Sequence, residues 1–137
     1  MSDNPFAALD GQPLIVVVED NRDINDLLSL ILEEEGYRVV SVTDGREALE
    51  AAREHKPDLI TLDLALPGKD GWALARELQE DPTTENIPIL VISAYTREMD
   101  APLRRQVSRV ISKPFYITQV INEVDAILRR RSEQTSH

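Results

Sequence analysis

The sequence predicts an α/β fold in which five strands form a parallel sheet and five helices pack on its faces. Short apolar, β-branched runs alternate along the chain with stretches of helical periodicity. This alternation is typical of parallel sheets joined by right-handed crossovers. The chain has 137 residues, of which 42% are hydrophobic, so it is long enough for one core and too short for a second folded domain.

Five segments are the predicted strands. Leu14–Val18, Leu59–Leu62 and Ile89–Ile92 are almost entirely apolar, as expected of central strands that are covered on both faces. Tyr37–Val42 has mixed polarity, which favours a position nearer the edge of the sheet. Arg109–Ser112 is a brief last strand.

Apolar residues at helical spacing predict the helices between these strands. Asn21 or Asp23 is placed to cap the first helix, and Gly36 is placed to end it. Asp44 and Asp70 are placed to cap the second and third helices. The predicted inward faces consist of Ile24, Leu27, Leu28 and Ile31 in the first helix, Ala48, Leu49 and Ala52 in the second, and Trp72, Ala75 and Leu78 in the third.

The fourth helix, between Tyr95 and Val107, is the least regular. Pro102 lacks a backbone N–H group and would disturb a helix interior. A helix that begins near Pro102, with Asp100 as its cap, is therefore favoured.

The last helix has a regular apolar spacing from Ile117 to Leu128. Thr118 is its predicted cap, and Arg129, Arg130 and Arg131 are predicted to end it, because positive charges suit the C-terminal end of the helix dipole. The expected organisation is an N-terminal arm over residues 1–13, one domain over residues 14–131 and a polar tail over residues 132–137.

Composition excludes several classes of function. The formal net charge is −10 and there is no cysteine, so nucleic-acid binding by this domain, disulfide frameworks and thiolate metal sites are not expected. The longest apolar run, Leu14–Val18, is too short to span a bilayer, and the first residues lack the pattern of a signal peptide. A cytoplasmic protein that does not bind membranes is predicted.

Five polar residues stand where predicted strands end: Glu19, Asp20, Asp63, Ser93 and Lys113. Each of them alone is adequately explained as a turn residue, a helix-dipole partner or a solvated charge. The carboxyl ends of parallel strands, however, lie at one edge of the sheet, which is where such folds bind ligands. The five residues are therefore predicted to form a single site.

The chemistry of this set points to a magnesium-dependent phosphoryl site. Three carboxylates, from Glu19, Asp20 and Asp63, would repel one another without a cation. Mg²⁺ prefers such oxygen ligands and is commonly completed by waters and a phosphate oxygen. Lys113 supplies a positive charge for a phosphoryl group, and the hydroxyl of Ser93 supplies a hydrogen-bond donor.

The motifs VVVEDN, TLDLALPGKDG, VISA and ISKPF together resemble the receiver domain of the bacterial two-component response regulators. The resemblance extends from Leu14 to about Arg130. It implies a doubly wound, flavodoxin-like sheet with the strand order 2-1-3-4-5.

The resemblance also implies roles for individual residues. Asp63 matches the aspartate that accepts a phosphoryl group from a phosphohistidine on a sensor histidine kinase or phosphotransfer protein. Glu19 and Asp20 match residues that hold Mg²⁺ together with Asp63 and the backbone carbonyl of Ala65.

The remaining matches concern the phosphoryl group itself. Ser93 matches the hydroxyl residue that turns toward that group, and Lys113 matches the lysine that pairs with it. The Lys113–Pro114 peptide bond matches one that is usually cis.

The chain departs from the family at Val110, where an aromatic switch residue is usual. A small side chain that is stiff at χ1 cannot fill the space of an aromatic ring. The segment from Ser93 to Lys113 is also slightly short. Activation is therefore expected to be a local reordering of Ala65–Gly71 and Ala94–Leu103, with Tyr95 as an exposed reporter.

Three functions are consistent with these residues. The preferred one is a phosphorylatable receiver that acts through contacts with an output protein and catalyses only its own phosphorylation and dephosphorylation. The second is a degenerate receiver that serves as an interaction module without phosphorylation. The third is a magnesium-dependent phosphohydrolase with an aspartyl-phosphate intermediate, against which Ala65 stands where a second acid would be needed.

Overall fold

Five parallel strands form one sheet in the order β2-β1-β3-β4-β5, which confirms the predicted fold. The computed structural model describes residues 12–67, 70–94 and 107–135, the last five as backbone alone. The strands are Leu14–Val18 (β1), Arg38–Val42 (β2), Leu59–Leu62 (β3), Ile89–Ser93 (β4) and Arg109–Ser112 (β5).

Four α-helices are described: Arg22–Glu34 (α1), Ala48–His55 (α2), Gly71–Glu80 (α3) and Ile117–Thr135 (α4), with a 3₁₀ turn at Gly45–Glu47 before α2. The helix predicted between Tyr95 and Val107 falls on residues 95–106, which lie outside the described residues. The same holds for residues 1–11 of the predicted arm and for residues 136–137 of the predicted tail.

The sheet has a hydrophobic core on each face, because side chains alternate along its strands. In β1, Ile15 and Val17 contribute to one core and Val16 and Val18 to the other. Helices α1 and α4 cover the first face, with Leu28, Leu32, Val120 and Val124. Helices α2 and α3 cover the second face, with Ala48, Ala52, Leu74 and Leu78. Burial on both faces explains why β1, β3 and β4 are continuous apolar runs.

Two of the predicted helix caps are confirmed, and the third residue caps the turn before its helix. The Asn21 side chain accepts a hydrogen bond from the Ile24 N–H at 3.1 Å, so Asn21 rather than Asp23 caps α1. Asp44 accepts from the Arg46 N–H at 2.9 Å, although it caps the 3₁₀ turn that leads into α2. Asp70 accepts from the Trp72 N–H at 3.0 Å at the start of α3.

Two predictions about the last helix are wrong. Helix α4 begins at Ile117, so Thr118 lies within its first turn and is not its cap. The helix also continues beyond Arg131 to Thr135, because no glycine or proline follows the arginines to stop it.

The buried face of α1 is rotated relative to the prediction. Leu27 is 39% exposed, whereas Asn25 and Leu32 are fully buried. Residues 25, 28 and 32 share one face of a helix with 3.6 residues per turn. The polar residue Asn25 therefore lies on the inward face of α1, whereas Leu27, which the sequence pattern placed on that face, is exposed.

Two buried threonines generate a stability prediction. The Thr61 hydroxyl in β3 has no hydrogen-bond partner among the described residues, whereas the Thr84 hydroxyl donates to the Leu78 carbonyl at 2.6 Å. An unsatisfied buried polar group costs about 1–3 kcal/mol. Thr61→Val should therefore raise the free energy of unfolding by about 1 kcal/mol, and Thr84→Val should lower it by a similar amount.

Urea denaturation of the two variants checks this prediction. Both substitutions replace the same buried residue type, so Thr84→Val controls for the change of shape. A loss of stability in Thr61→Val equal to that in Thr84→Val would show that the Thr61 hydroxyl has a partner.

Candidate phosphoryl and metal site

Three carboxylates converge at the carboxyl edge of the sheet. Glu19 and Asp20 follow β1 and Asp63 follows β3, and these two strands are neighbours in which Val18 pairs with Leu62. The Asp63 N–H donates to the Val18 carbonyl at 3.1 Å, which extends the pairing to the site itself. Carboxylate oxygens of Glu19, Asp20 and Asp63 all lie within 4.8 Å of one another.

Lys113 links two of these acids. Its Nζ lies 2.5 Å from Glu19 Oε1 and 2.9 Å from Asp63 Oδ2. The backbone N–H of Lys113 donates to the Ser93 carbonyl at 3.0 Å, so the lysine enters the site from the end of the β4–β5 pair. The Lys113–Pro114 peptide bond is cis, as the family resemblance implied.

Backbone N–H groups hold the other oxygens of the same two acids. Glu19 Oε2 accepts from the Asn21 N–H at 3.1 Å, and Asp63 Oδ1 accepts from the Ala65 N–H at 3.0 Å. Glu19 and Asp63 are only 2% and 5% exposed. Both carboxylates are therefore fixed by a lysine on one oxygen and by the backbone on the other.

The pKa values of Glu19 and Lys113 reflect this crowding. Burial raises the pKa of Glu19, and the hydrogen bonds from Lys113 and Asn21 offset only part of that increase. For Lys113, burial acts to lower the pKa, but hydrogen bonds to Glu19 and Asp63 outweigh it, and the pKa is raised. The ammonium form of Lys113 is thus stabilised beside the carboxylates.

The donor set fits a hard divalent cation. Every side chain of the cluster offers carboxylate oxygen, which is the ligand type that Mg²⁺ prefers. Asp20 is only partly buried, whereas Glu19 and Asp63 are buried, so the cluster is open to solvent on the side of Asp20. A cation that keeps several water ligands suits such a one-sided site.

Of the other predicted residues, Ser93 lies at the same edge of the sheet and Val110 lies within β5. Ser93 ends β4, is fully buried, and pairs in register with Ser112 of β5. Val110 pairs with Val91 and packs against the core beneath α2 and α3. Tyr95, together with most of the segment expected to reorder on activation, lies outside the described residues.

Sequence reasoning missed two residues that shape this site. The fully buried side chain of Asn25 donates to the Glu19 carbonyl at 3.0 Å. Asn25 stands between Ile24 and Asp26, so no local pattern marks it as buried. Gly71 is the first residue of α3 and packs directly against the backbone of Leu64. A Cβ atom at Gly71 would lie 2.4 Å from both the Cα and the carbonyl oxygen of Leu64.

Comparison with known proteins agrees with this geometry. A family model described as the response regulator receiver domain matches residues 15–125. A sensor protein from Polaromonas sp. JS666 superposes with a TM-score of 0.78 at 33% identity, covering 86% of this chain and 97% of that one. The N-terminal domain of a nisin resistance regulator superposes with a TM-score of 0.73 at 34% identity, covering 85% and 98%.

A third similar structure carries a metal ion. The receiver domain of a sensor histidine kinase from Pseudomonas aeruginosa PAO1 superposes with a TM-score of 0.77 at 27% identity, covering 86% of this chain and 98% of that one. That structure has a magnesium ion coordinated in its active-site cleft.

Among the described helices of the present chain, none has the length and apolarity needed to cross a membrane.

The close approach of Gly71 to Leu64 predicts a steric effect. Gly71→Ala should lower the free energy of unfolding by about 2 kcal/mol, because the added methyl group must displace backbone rather than a flexible side chain. Ala73→Gly, in the same helix, should lower it by only about 1 kcal/mol through helix propensity. Thermal and urea unfolding give both values, and equal stability of Gly71→Ala and the parent chain would contradict the close packing.

The position of Lys113 between two buried acids predicts that removing its charge will make the stability of the fold depend on Mg²⁺. Lys113→Met leaves two buried carboxylates without their cation, so in EDTA the free energy of unfolding should fall by about 2 kcal/mol. Added Mg²⁺ should stabilise this variant more than the parent, because a divalent cation replaces the missing positive charge.

The exposed Lys56 provides the control for this substitution. Lys56→Met should change the free energy of unfolding by less than about 0.5 kcal/mol, with or without Mg²⁺. Equal losses in Lys113→Met and Lys56→Met would show that Lys113 does not offset the charge of the cluster.

Proposed function

Since the chain belongs to the family of response regulator receiver domains, we propose that it is a phosphorylation-activated signalling domain of a two-component system or phosphorelay, with Asp63 as its phosphoacceptor. One observation carries the proposal: Asp63 Oδ2 lies 2.9 Å from Lys113 Nζ while Oδ1 accepts from the Ala65 N–H at 3.0 Å. A buried carboxylate is thereby held between a cation and a backbone donor, at the point where Glu19 and Asp20 also converge.

The proposed reaction transfers a phosphoryl group from a phosphohistidine. A carboxylate oxygen of Asp63 attacks phosphorus, an O–P bond forms and the N–P bond breaks. The electron pair of that bond stays on the imidazole nitrogen of the donor, and the product is an acyl phosphate on Asp63. The Lys113 ammonium lies beside the group that gains negative charge, so it stabilises the product and the transition state.

The donor imidazole belongs to another protein in this proposal. His55 lies in α2 and is exposed, and α2 packs on a face of the sheet rather than at its carboxyl edge. The expected donors are a sensor histidine kinase or a phosphotransfer protein, the partners that membership of this family implies. The phosphorylated domain would act through contacts with an output protein.

Mg²⁺ is the proposed cofactor. Glu19, Asp20 and Asp63 would hold it with the backbone carbonyl of Ala65, and when bound it supplies positive charge for the phosphoryl oxygens. The oxygen-only donor set supports this assignment, as does the magnesium ion in the similar kinase receiver domain. Asp20 is the principal proposed carboxylate ligand, with Glu19 acting through water.

The two other functions are disfavoured by particular residues. A degenerate receiver has no need of a lysine within hydrogen-bonding distance of both Glu19 and Asp63, yet Lys113 has that position. A phosphohydrolase needs a general acid beside its nucleophile, and Ala65 has no titratable group to serve as one. These residues support a domain that catalyses only its own phosphorylation and dephosphorylation.

The phosphoacceptor assignment predicts a specific mass change. After treatment with acetyl phosphate and Mg²⁺, the intact mass should rise by one phosphoryl group, and Asp63→Asn should show no rise, since an amide is not a nucleophile here. Asp44→Asn, which removes an acid after β2 in the same sheet, should be phosphorylated as the parent is.

Two results would contradict the proposal, the first by excluding Asp63 as the acceptor and the second by changing the function of the phosphorylated site. Full phosphorylation of Asp63→Asn would place the acceptor elsewhere. Sustained hydrolysis of p-nitrophenyl phosphate by the parent, lost in Asp63→Asn, would instead support the phosphohydrolase.

The metal assignment predicts a loss of affinity on removal of one charge. Asp20→Asn should weaken Mg²⁺ binding at least about tenfold, because changes one shell further out already cost 10–100-fold. Isothermal titration calorimetry measures this directly, with Asp23→Asn, an exposed acid in the first turn of α1, as the matched control. Identical Mg²⁺ affinities in the two variants would remove Asp20 from the ligand set.

A further inference from the structure

A buried side-chain amide lies beneath the end of β1. Asn25 of α1 is fully buried, and its Nδ2 donates to the Glu19 carbonyl at 3.0 Å, the Val42 carbonyl at 3.2 Å and the Val17 carbonyl at 3.4 Å. One amide group from a helix thus gathers three backbone carbonyls from the ends of β1 and β2. The proposed metal and phosphoryl roles of the site residues do not account for this arrangement.

The orientation of this amide is fixed by two hydroxyl groups. Ser29 Oγ donates to Asn25 Oδ1 at 3.3 Å, and Ser41 Oγ donates to the same oxygen. Rotating the amide by half a turn would place Oδ1 against the three carbonyl oxygens, which cannot donate. The network therefore holds Nδ2 toward the strand ends and links α1 to β2 through Ser41.

The carbonyl that accepts the shortest of these bonds belongs to the peptide that joins Glu19 to Asp20. Peptide groups are planar, so a bond to the Glu19 oxygen also constrains the positions of the Asp20 N and Cα atoms, which lie in the same plane. On the other side of Glu19, its N–H donates to the Val42 carbonyl at 3.0 Å, the same carbonyl that Asn25 contacts. The two acids are therefore held by Asn25 through their shared peptide.

We propose that Asn25 is a positioning residue for the divalent-cation site, which sets the Glu19–Asp20 peptide so that both carboxylates converge with Asp63. This role rests on the proposed function, since it concerns the same cation site. Its basis is distinct: Asn25 touches no carboxylate oxygen among the described contacts and acts only through the backbone. A divalent cation with strict octahedral geometry is the ligand class most sensitive to such an adjustment.

A purely structural role is the competing explanation, because a satisfied buried polar network also stabilises the fold. The two explanations predict different effects of removing the amide. If Asn25 only stabilises, then Mg²⁺ affinity changes with stability, and any equally destabilising change in α1 has the same effect. If Asn25 positions the acids, then Mg²⁺ affinity falls by more than the stability loss explains.

The test compares three variants of the full chain. Asn25→Asp keeps the size and the acceptor oxygen but removes both N–H donors, and Asn25→Leu removes the whole amide. Ile31→Ala, a buried change on the same helix away from the strand ends, is the control for stability. Mg²⁺ affinity is measured by calorimetry at a temperature where each variant is folded, and the unfolding midpoint is recorded for each.

The expected result is a loss of Mg²⁺ affinity of about tenfold in the folded Asn25 variant, with Ile31→Ala within twofold of the parent. Amide chemical shifts of Asp20 and Asn21 in the cation-free protein should change in the Asn25 variant and not in Ile31→Ala. If Asn25→Leu does not fold, the Mg²⁺ affinity and the amide chemical shifts of Asn25→Asp are compared with those of Ile31→Ala instead.

Three outcomes would overturn the proposal. An Asn25 variant that binds Mg²⁺ within twofold of the parent would remove the positioning role and leave the proposed function intact. An equal loss of affinity in Ile31→Ala would show that the effect is one of stability alone. Failure of the parent chain itself to bind Mg²⁺ would overturn the proposed function and this inference together.

Discussion

The structure depends on concentrating negative charge at one edge of a sheet and offsetting it there. Three carboxylates have oxygens within 4.8 Å of one another, and two of those acids are buried. Such a cluster is unfavourable unless cations and hydrogen-bond donors surround it. Lys113 and the backbone N–H groups of Asn21 and Ala65 supply them, so the stability of the fold and the chemistry of the site rest on the same contacts.

Parallel topology is what brings these groups together from distant parts of the chain. Glu19 and Lys113 are 94 positions apart in sequence, yet each comes directly after a strand whose carboxyl end lies at the same edge. The central strands β1 and β3 carry the acids, while the β4–β5 pair delivers Ser93 and Lys113. A residue placed directly after a strand of such a sheet has its location set by strand order before any side-chain contact forms.

This explains which features the sequence could predict. Asp63 and Lys113 lie at the carboxyl edge of the sheet, as predicted, because apolar runs mark the strand ends. Asn21 and Asp70 cap helices, as predicted, because caps have local signatures. Asn25 and Gly71 were missed because their importance lies in contacts with the backbone of Glu19 and Leu64, which no local pattern encodes. The rotated face of α1 has the same origin, because Asn25 lies inward and Leu27 is exposed, although hydrophobicity alone predicts that Leu27 is inward.

The pKa values of Glu19 and Lys113 show how the charges of the site affect the stability of the fold. The pKa of Glu19 is raised mainly by burial. The folded protein therefore binds the Glu19 proton more tightly than the unfolded chain does. The stability that the protonated form of Glu19 contributes is lost as pH rises above the ordinary glutamate range. The pKa of Lys113 is also raised, so its contribution is fully present below the ordinary lysine pKa and is lost only as pH rises through the higher folded value. At neutral pH the lysine is therefore charged while an ionised Glu19 carries a burial penalty. A divalent cation placed among these carboxylates would relieve that penalty, so the negative charge that costs stability in the cation-free fold is also what would favour a cation at this edge of the sheet.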